Sequence, residues 1–212
     1  MDLSTVVTIT NKVLKTLEEA YKHNLYHGGL TEENIFIDEN YNLKIYDFCI
    51  TKANKGVNIR KENCIEFLSP YQLNIDFTDR QSDFFTLGII LFNAIFNKMP
   101  FGSVKDEKEM LKLINKGIDW NHIVINNENI VLVNIIKKLT GRNEKYESVH
   151  EILVDLSEFM YTKANIKEDE VEYVEGKKLD ILIDKYKNKT LQKIIIAALT
   201  FTMLGAFIYQ FS

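Results

Sequence analysis

The sequence predicts a mainly α-helical lobe with one small β-hairpin, followed by a single C-terminal membrane-spanning helix. Three observations predict it. Val6, Ile9, Val13, Leu17 and Ala20 recur at the spacing of one helix face near the start of the chain. Two short apolar runs, Ile35-Phe36-Ile37 and Leu43-Lys44-Ile45, flank the polar stretch Asp38-Glu39-Asn40-Tyr41-Asn42, the pattern of a hairpin with a polar turn. From Ile194 to Ser212 no residue is charged, and 194–209 is almost wholly apolar.

Taken in order, residues 4–23 are expected to form an amphipathic helix, and the hairpin follows at 35–45. The expected organisation is a lobe over 1–160, a charged linker over 161–190 and a membrane helix over 191–211. Glu168, Asp169, Glu170, Glu172 and Glu175 make the linker acidic before the lysines begin, as a solvated linker is.

Composition narrows the function classes. The chain has 212 residues, 46% of them hydrophobic, enough for one well-packed domain and an appendage. A net charge of −4 gives no support for a global nucleic-acid field, so no nucleic-acid partner is expected, although local basic patches stay open. Cys49 and Cys64 are the two cysteines and form no CxxC pair, which excludes a disulfide scaffold and a cysteine-based zinc site and suits a reducing cytoplasm. Met1 to Thr10 lacks the basic region and apolar core of a signal peptide.

The stretch Tyr26-His27-Gly28-Gly29-Leu30-Thr31-Glu32-Glu33-Asn34, followed by Asp47-Phe48-Cys49, has a recognisable layout. Protein kinases carry an H-R-D-L-x-x-x-N loop, a D-F-G turn and an A-P-E element in this order. His27, Leu30 and Asn34 stand at the loop spacings, Asp47-Phe48 at the turn, and Ser69-Pro70-Tyr71 at a degraded A-P-E. A kinase also has a hairpin between its loop and its D-F-G. Ser82-Asp83-Phe84-Phe85-Thr86-Leu87-Gly88-Ile89-Ile90-Leu91-Phe92, ending in Met99-Pro100-Phe101, resembles the family's central buried helix, and 132–156 resembles its last helices. Pro70 and Pro100, the two prolines, fall where the resemblance implies turns. Residues 4–160 therefore resemble the C-terminal lobe of the protein kinase family, in particular bacterial serine/threonine kinases of the eukaryotic type, some of which carry a C-terminal transmembrane helix. The family's N-terminal lobe supplies a Gly-rich phosphate loop and a strand lysine. This chain opens almost at the helix before the loop and contains no G-x-G-x-x-G, so that lobe is expected to be absent.

The resemblance also implies what the loop lacks. In kinases the loop aspartate accepts the substrate hydroxyl proton, while the loop asparagine and the D-F-G aspartate hold magnesium. Gly29 occupies the aspartate position and has no side chain for that role, and Gly28 replaces the arginine before it. The Gly28-Gly29 pair also reads as plain loop flexibility rather than a phosphate nest, since glycine tolerates many backbone angles. Asn34 and Asp47 remain, as a residual Mg²⁺ site or as hydrogen-bonding residues in tight turns. Cys49 replaces the D-F-G glycine and reads as a small buried hydrophobe or as a reactive thiol. The family role implied for His27 is packing against Phe48, and that implied for Asp83 is hydrogen bonding to the loop backbone. Tyr71 stands where the A-P-E glutamate pairs with a late arginine, and no arginine aligns in Arg142-Asn143-Glu144-Lys145-Tyr146.

The C-terminal run is short for a span, which needs about 20 apolar residues with roughly 17 as a lower bound. The other reading of it is a buried terminal helix. Lys185, Lys187, Lys189 and Lys193 crowd its near side, which places residues 1–193 in the cytoplasm by the positive-inside rule, and Tyr209 and Phe211 suit the far interface. The lysines also suit anionic lipid headgroups, at about 1 kcal/mol each. The expectation is a tail-anchored, single-pass pseudokinase lobe: a binding or regulatory module with no phosphotransfer, no catalytic residue and no cofactor. Its expected partners are the membrane and a protein at the surface the N-terminal lobe normally covers. One alternative is a serine/threonine kinase using Mg-ATP and completed by a separately supplied N-lobe. Another is a truncated or decayed kinase gene product.

Overall fold

A computed structural model describes residues 1–40, 42–48, 62–104, 106–141 and 144–161 of the chain. Cys49, Arg142, Asn143, the linker beyond Tyr161 and the segment 191–211 lie outside the described residues. Met1–Tyr161 forms one compact unit. Among the described residues the fold is mostly helical, with one two-stranded sheet. No helix among them is long and apolar enough to cross a membrane.

Helix α1 spans Leu3–Lys22. Asp2 caps it by accepting the Ser4 and Thr5 amides at 3.0 and 3.1 Å, satisfying donors that have no partner within the helix. Its buried stripe is Val6, Val7, Thr10, Val13, Leu14 and Leu17. The stripe is turned slightly from the one read in the sequence: Ile9 and Ala20 are only half-buried, and Thr10 lies inside. A threonine is tolerated there because its hydroxyl donates to the Val6 carbonyl at 2.7 Å. Asn24 ends the helical segment in the left-handed region at φ 55°, and the Leu25 amide turns back to the Ala20 carbonyl.

Strands β1 (Ile35–Ile37) and β2 (Leu43–Ile45) pair antiparallel, with Ile35 opposite Ile45 and Ile37 opposite Leu43. Asp38 closes the turn by accepting the Asn40 and Asn42 amides at 2.9 and 2.8 Å. Helix α2 (Pro70–Ile75) starts with proline at its first turn and a reciprocal cap between Ser69 and Gln72. Helix α3 (Arg80–Phe96) is capped by Asp79, and every residue from Ser82 to Phe92 is buried. Helix α4 (Glu107–Lys116), helix α5 (Ile130–Thr140) and a last helix α6 over residues 149–161 complete the unit.

Helix α3 is the axis of the fold. Phe84, Leu87, Ile90, Leu91 and Phe92 join a core with α1, α5 and α6. Phe85 and Ile89 join a second core with Phe101, Met110 and Ile114. A helix flanked by two cores must be apolar all round. It packs most extensively on α5, and Gly88 sets how closely: a Cβ there would lie 2.6 Å from Thr140 Cγ2 and 2.9 Å from Leu139 Cβ.

Candidate functional site

The candidate site is the loop at residues 26–34 with the turn at 46–48, and buried side chains fix its backbone. Asp83, 1% exposed in the first turns of α3, accepts the His27 amide at 2.9 Å, the Gly28 amide at 2.8 Å and the Tyr21 hydroxyl at 3.1 Å. Burial pushes its carboxyl up to about 6 from the ordinary 3.8, against the pull of those three donors. The hydroxyl of half-buried Tyr21 is pushed upward in turn, by desolvation first and then by the neighbouring Asp83 charge.

Gln72 grips the same residue from the other side. Its Nε2 donates to the Gly28 carbonyl at 2.6 Å and to Thr78 Oγ1 at 3.3 Å, and its Oε1 accepts the Ser69 amide at 2.9 Å. Gly28 thus has both its N–H and its C=O held by buried side chains, at φ 73°. That left-handed backbone explains a glycine at this position better than flexibility does.

His27 is buried, with its ring 4.8 Å from that of Phe48. Its Nε2 lies 2.8 Å from the Tyr46 carbonyl, and its Nδ1 lies 3.3 Å from the Gly29 amide. A carbonyl only accepts and an amide N–H only donates, so the ring proton belongs on Nε2 and the imidazole is neutral. Burial pushes its pKa below the ordinary 6.5. Both nitrogens are committed to the backbone, which leaves none for proton transfer. Gly29 is exposed on the loop and presents no side chain to a substrate.

Asn34 and Asp47 come together, but as hydrogen-bonding partners. Asn34 Nδ2 donates to Asp47 Oδ2 at 3.1 Å, while Asn34 Oδ1 accepts the Thr31 amide at 3.0 Å and the Thr31 hydroxyl at 2.9 Å. Magnesium takes oxygen ligands. As placed, the amide oxygen faces Thr31 and an N–H₂ faces the carboxylate, so the pair does not form a cation site. Turning the amide over would set its N–H₂ against the Thr31 N–H and forfeit that hydrogen bond. Among the described residues no cluster of three or more His, Cys, Asp or Glu is arranged to hold a metal. Asp47 adopts φ 64°, in the left-handed region that Asp tolerates better than most residues.

Tyr71 is 46% exposed, and Lys145 Nζ lies 5.5 Å above its ring. Tyr71 thus meets the late segment 144–146 through a cation over an aromatic face. Reading the sequence missed Tyr21 and Gln72. Signals for both exist: Ser69-x-x-Gln72 is the capping-box spacing, and Tyr21 falls one turn beyond Leu17 on the apolar face of α1.

A model of the protein kinase domain matches residues 1–144 of the chain. The chain is 30% identical over 159 residues to a probable serine/threonine-protein kinase of Clostridium perfringens, covering 71% of this chain and 23% of that protein. It is 26% identical over 159 residues to the probable serine/threonine-protein kinase PknB of Lactococcus lactis, covering 71% of this chain and 25% of the relative. It is also 26% identical over 160 residues to the serine/threonine-protein kinase PrkC of Bacillus subtilis, covering 71% and 24%. The chain spans about a quarter of the length of these relatives.

Proposed function

The chain belongs to the protein kinase family, and we propose that its lobe works as a binding or regulatory module that performs no phosphotransfer. The observation that carries this reading is Gly29. It stands where the family has its proton acceptor, and two nearby candidates are engaged elsewhere: both nitrogens of His27 are occupied by backbone, and Glu32 is bonded to Asn93 at 2.7 Å. A missing general base typically lowers a rate by about 10²–10⁴-fold. The turned amide of Asn34 further argues against a magnesium role, so no cofactor is needed by this reading.

The protein partner we propose sits at the outer hairpin face, next to the loop, where the family's N-terminal lobe packs. Phe36 is 56% and Tyr46 49% exposed there, with their rings 4.9 Å apart edge to face. Paired aromatics left open to solvent are a usual mark of a contact surface. The apolar run 194–209 supports a further proposal, that residues 191–211 hold the lobe at the cytoplasmic face of a membrane. On that proposal the full chain stays with membranes through alkaline carbonate extraction, and a chain ending at residue 190 is released.

A second reading has one observation in its favour: Asn34 and Asp47, the family's metal ligands, still lie within 3.1 Å of each other. A kinase completed by a separately supplied N-lobe would keep them so. Thermal unfolding with and without Mg-ATP separates the two. The module predicts no change in the midpoint. A saturable rise overturns it, because a ligand that binds only the folded state stabilises by mass action.

A further inference from the structure

Two residues of one turn touch the two helices that clamp Gly28. Lys145 Nζ lies over the Tyr71 ring of α2 at 5.5 Å. Gln81 Nε2, in the first turn of α3, donates to the Tyr146 carbonyl at 2.7 Å. The clamps sit beside these contacts in sequence: Gln72 follows Tyr71 and holds the Gly28 carbonyl, and Asp83 is two residues after Gln81 and holds the Gly28 amide. We propose that the turn at 144–146 sets the conformation of the Gly28–Gly29 loop by acting through the starts of α2 and α3.

The linkage is short and has little slack. The Gln72 carboxamide is used at both ends, by Ser69 and Thr78 as well as Gly28, so it cannot follow a shift of α2 without losing one of those bonds. Ser69 Oγ and Ser82 Oγ, 3.1 Å apart and buried, tie the start of α2 to α3, so the two clamps move together. Gly28 is the one member without a side chain, and at φ 73° it has the lowest cost of changing backbone basin. A disturbance of the turn is therefore taken up at Gly28. Its amide bond to Asp83 and the Gly29 amide bond to His27 are the two that report it. Lifting Lys145 from Tyr71 loosens the clamp, and a contact that presses Lys145 down tightens it. The coupling cannot exceed the energy of the contact that transmits it. A cation over an exposed ring is equivalent to about a 2- to 5-fold change in population.

The test is amide hydrogen exchange on the full chain, read at Gly28 and Gly29 with the α5 amides of Leu132 to Ile136 as an internal standard. Lys145→Ala is expected to speed exchange at Gly28 and Gly29 by about 2- to 5-fold and to leave α5 unchanged. In a Tyr71→Leu background, and in a Gln72→Leu background, the same substitution is expected to add nothing at the loop. Tyr71 is half-exposed, so that background keeps the test available if Gln72→Leu fails to fold. No change at Gly28 and Gly29 in Lys145→Ala overturns the proposal. So does an equal rise in α5, which is general loosening, or a loop effect that persists without the Tyr71 ring.

Discussion

Asp83 is a buried carboxyl whose hydrogen-bond partners His27, Gly28 and Tyr21 are all donors, and its protonation feeds directly into stability. Its folded pKa is raised from 3.8 to about 6, so its contribution is fully present below 3.8 and is lost as pH rises through about 6. The difference between those values corresponds to about 3 kcal/mol. His27 acts in the opposite sense. Its folded pKa lies below the ordinary 6.5, so its contribution is present above 6.5 and is lost as pH falls through the depressed value. Asp83→Asn removes the first component and sets an amide N–H₂ against a backbone N–H. Its destabilisation, measured by urea titration, is expected to be about 1–3 kcal/mol larger at pH 4.5 than at pH 7.5. An equal cost at both values would show that Asp83 does not titrate with folding. Gly29→Asp is the contrasting case. Gly29 is exposed and lies outside the left-handed region, so a carboxylate there is expected to shift stability by less than about 0.5 kcal/mol. The variant is expected to transfer no labelled phosphate from Mg-ATP, because Asn34 still turns its amide oxygen to Thr31. Rapid transfer by Gly29→Asp would show that the aspartate was the one element lacking. The placement of His27 on Phe48 and of Asp83 under the loop followed from the resemblance to the family's loop. The Gln72 bond to Gly28 was not, because it joins residues 44 apart through a side chain whose local role, a helix cap, is complete without it.

At the scale of elements, the sequence pattern was most informative where burial is one-sided or complete. The amphipathic period located α1 to within a residue at each end, and the resemblance of 82–92 to the family's central buried helix pointed to α3. The alternating runs located both strands of the hairpin, and the structure supplied their register. The pattern erred on the rotation of α1 because Thr10 counts as polar in a periodicity reading, yet buries freely once its hydroxyl bonds one turn back. The depth of the α3–α5 contact was also hidden, since Gly88 in a buried helix has no signature beyond being small. A prediction belongs here. Gly88→Ala has the usual helix-propensity gain of about 1 kcal/mol, but its Cβ collides with Thr140 Cγ2 at 2.6 Å and Leu139 Cβ at 2.9 Å. Overpacking of this kind costs about 1–3 kcal/mol, so the net change is expected to be destabilising. Thr140→Ala removes one of the two clashing atoms. In a double-mutant cycle the pair is expected to be at least 0.5 kcal/mol more stable than the sum of the single changes. Additivity within error would mean that α5 moves away from α3 without resistance.

The whole unit is organised by α3, which belongs to both cores at once. Phe84, Leu87 and Leu91 face one, and Phe85 and Ile89 face the other. Neither core closes without that helix, so the two halves of Met1–Tyr161 have no means of unfolding one at a time. The single tryptophan makes this measurable. Trp120 packs on Phe92 at 5.7 Å between ring centroids, with Lys137 Nζ 5.2 Å from its own ring, and so reports on the first core. Ile89→Ala removes a fully buried side chain from the second core, where such a change costs about 2–5 kcal/mol. Trp120 fluorescence is expected to shift to lower urea by the whole of that cost, in one transition that coincides with the loss of helical circular dichroism. Leu132→Ala, in the first core, is expected to move the same curve in the same way. A tryptophan transition that stays in place in Ile89→Ala while the dichroism splits in two would show that the cores are separable. In that case a clamp formed by α2 and α3 would join two independently stable bodies, and the loop, whose Leu30 and Phe48 belong to the first core, would need only that core to hold its shape.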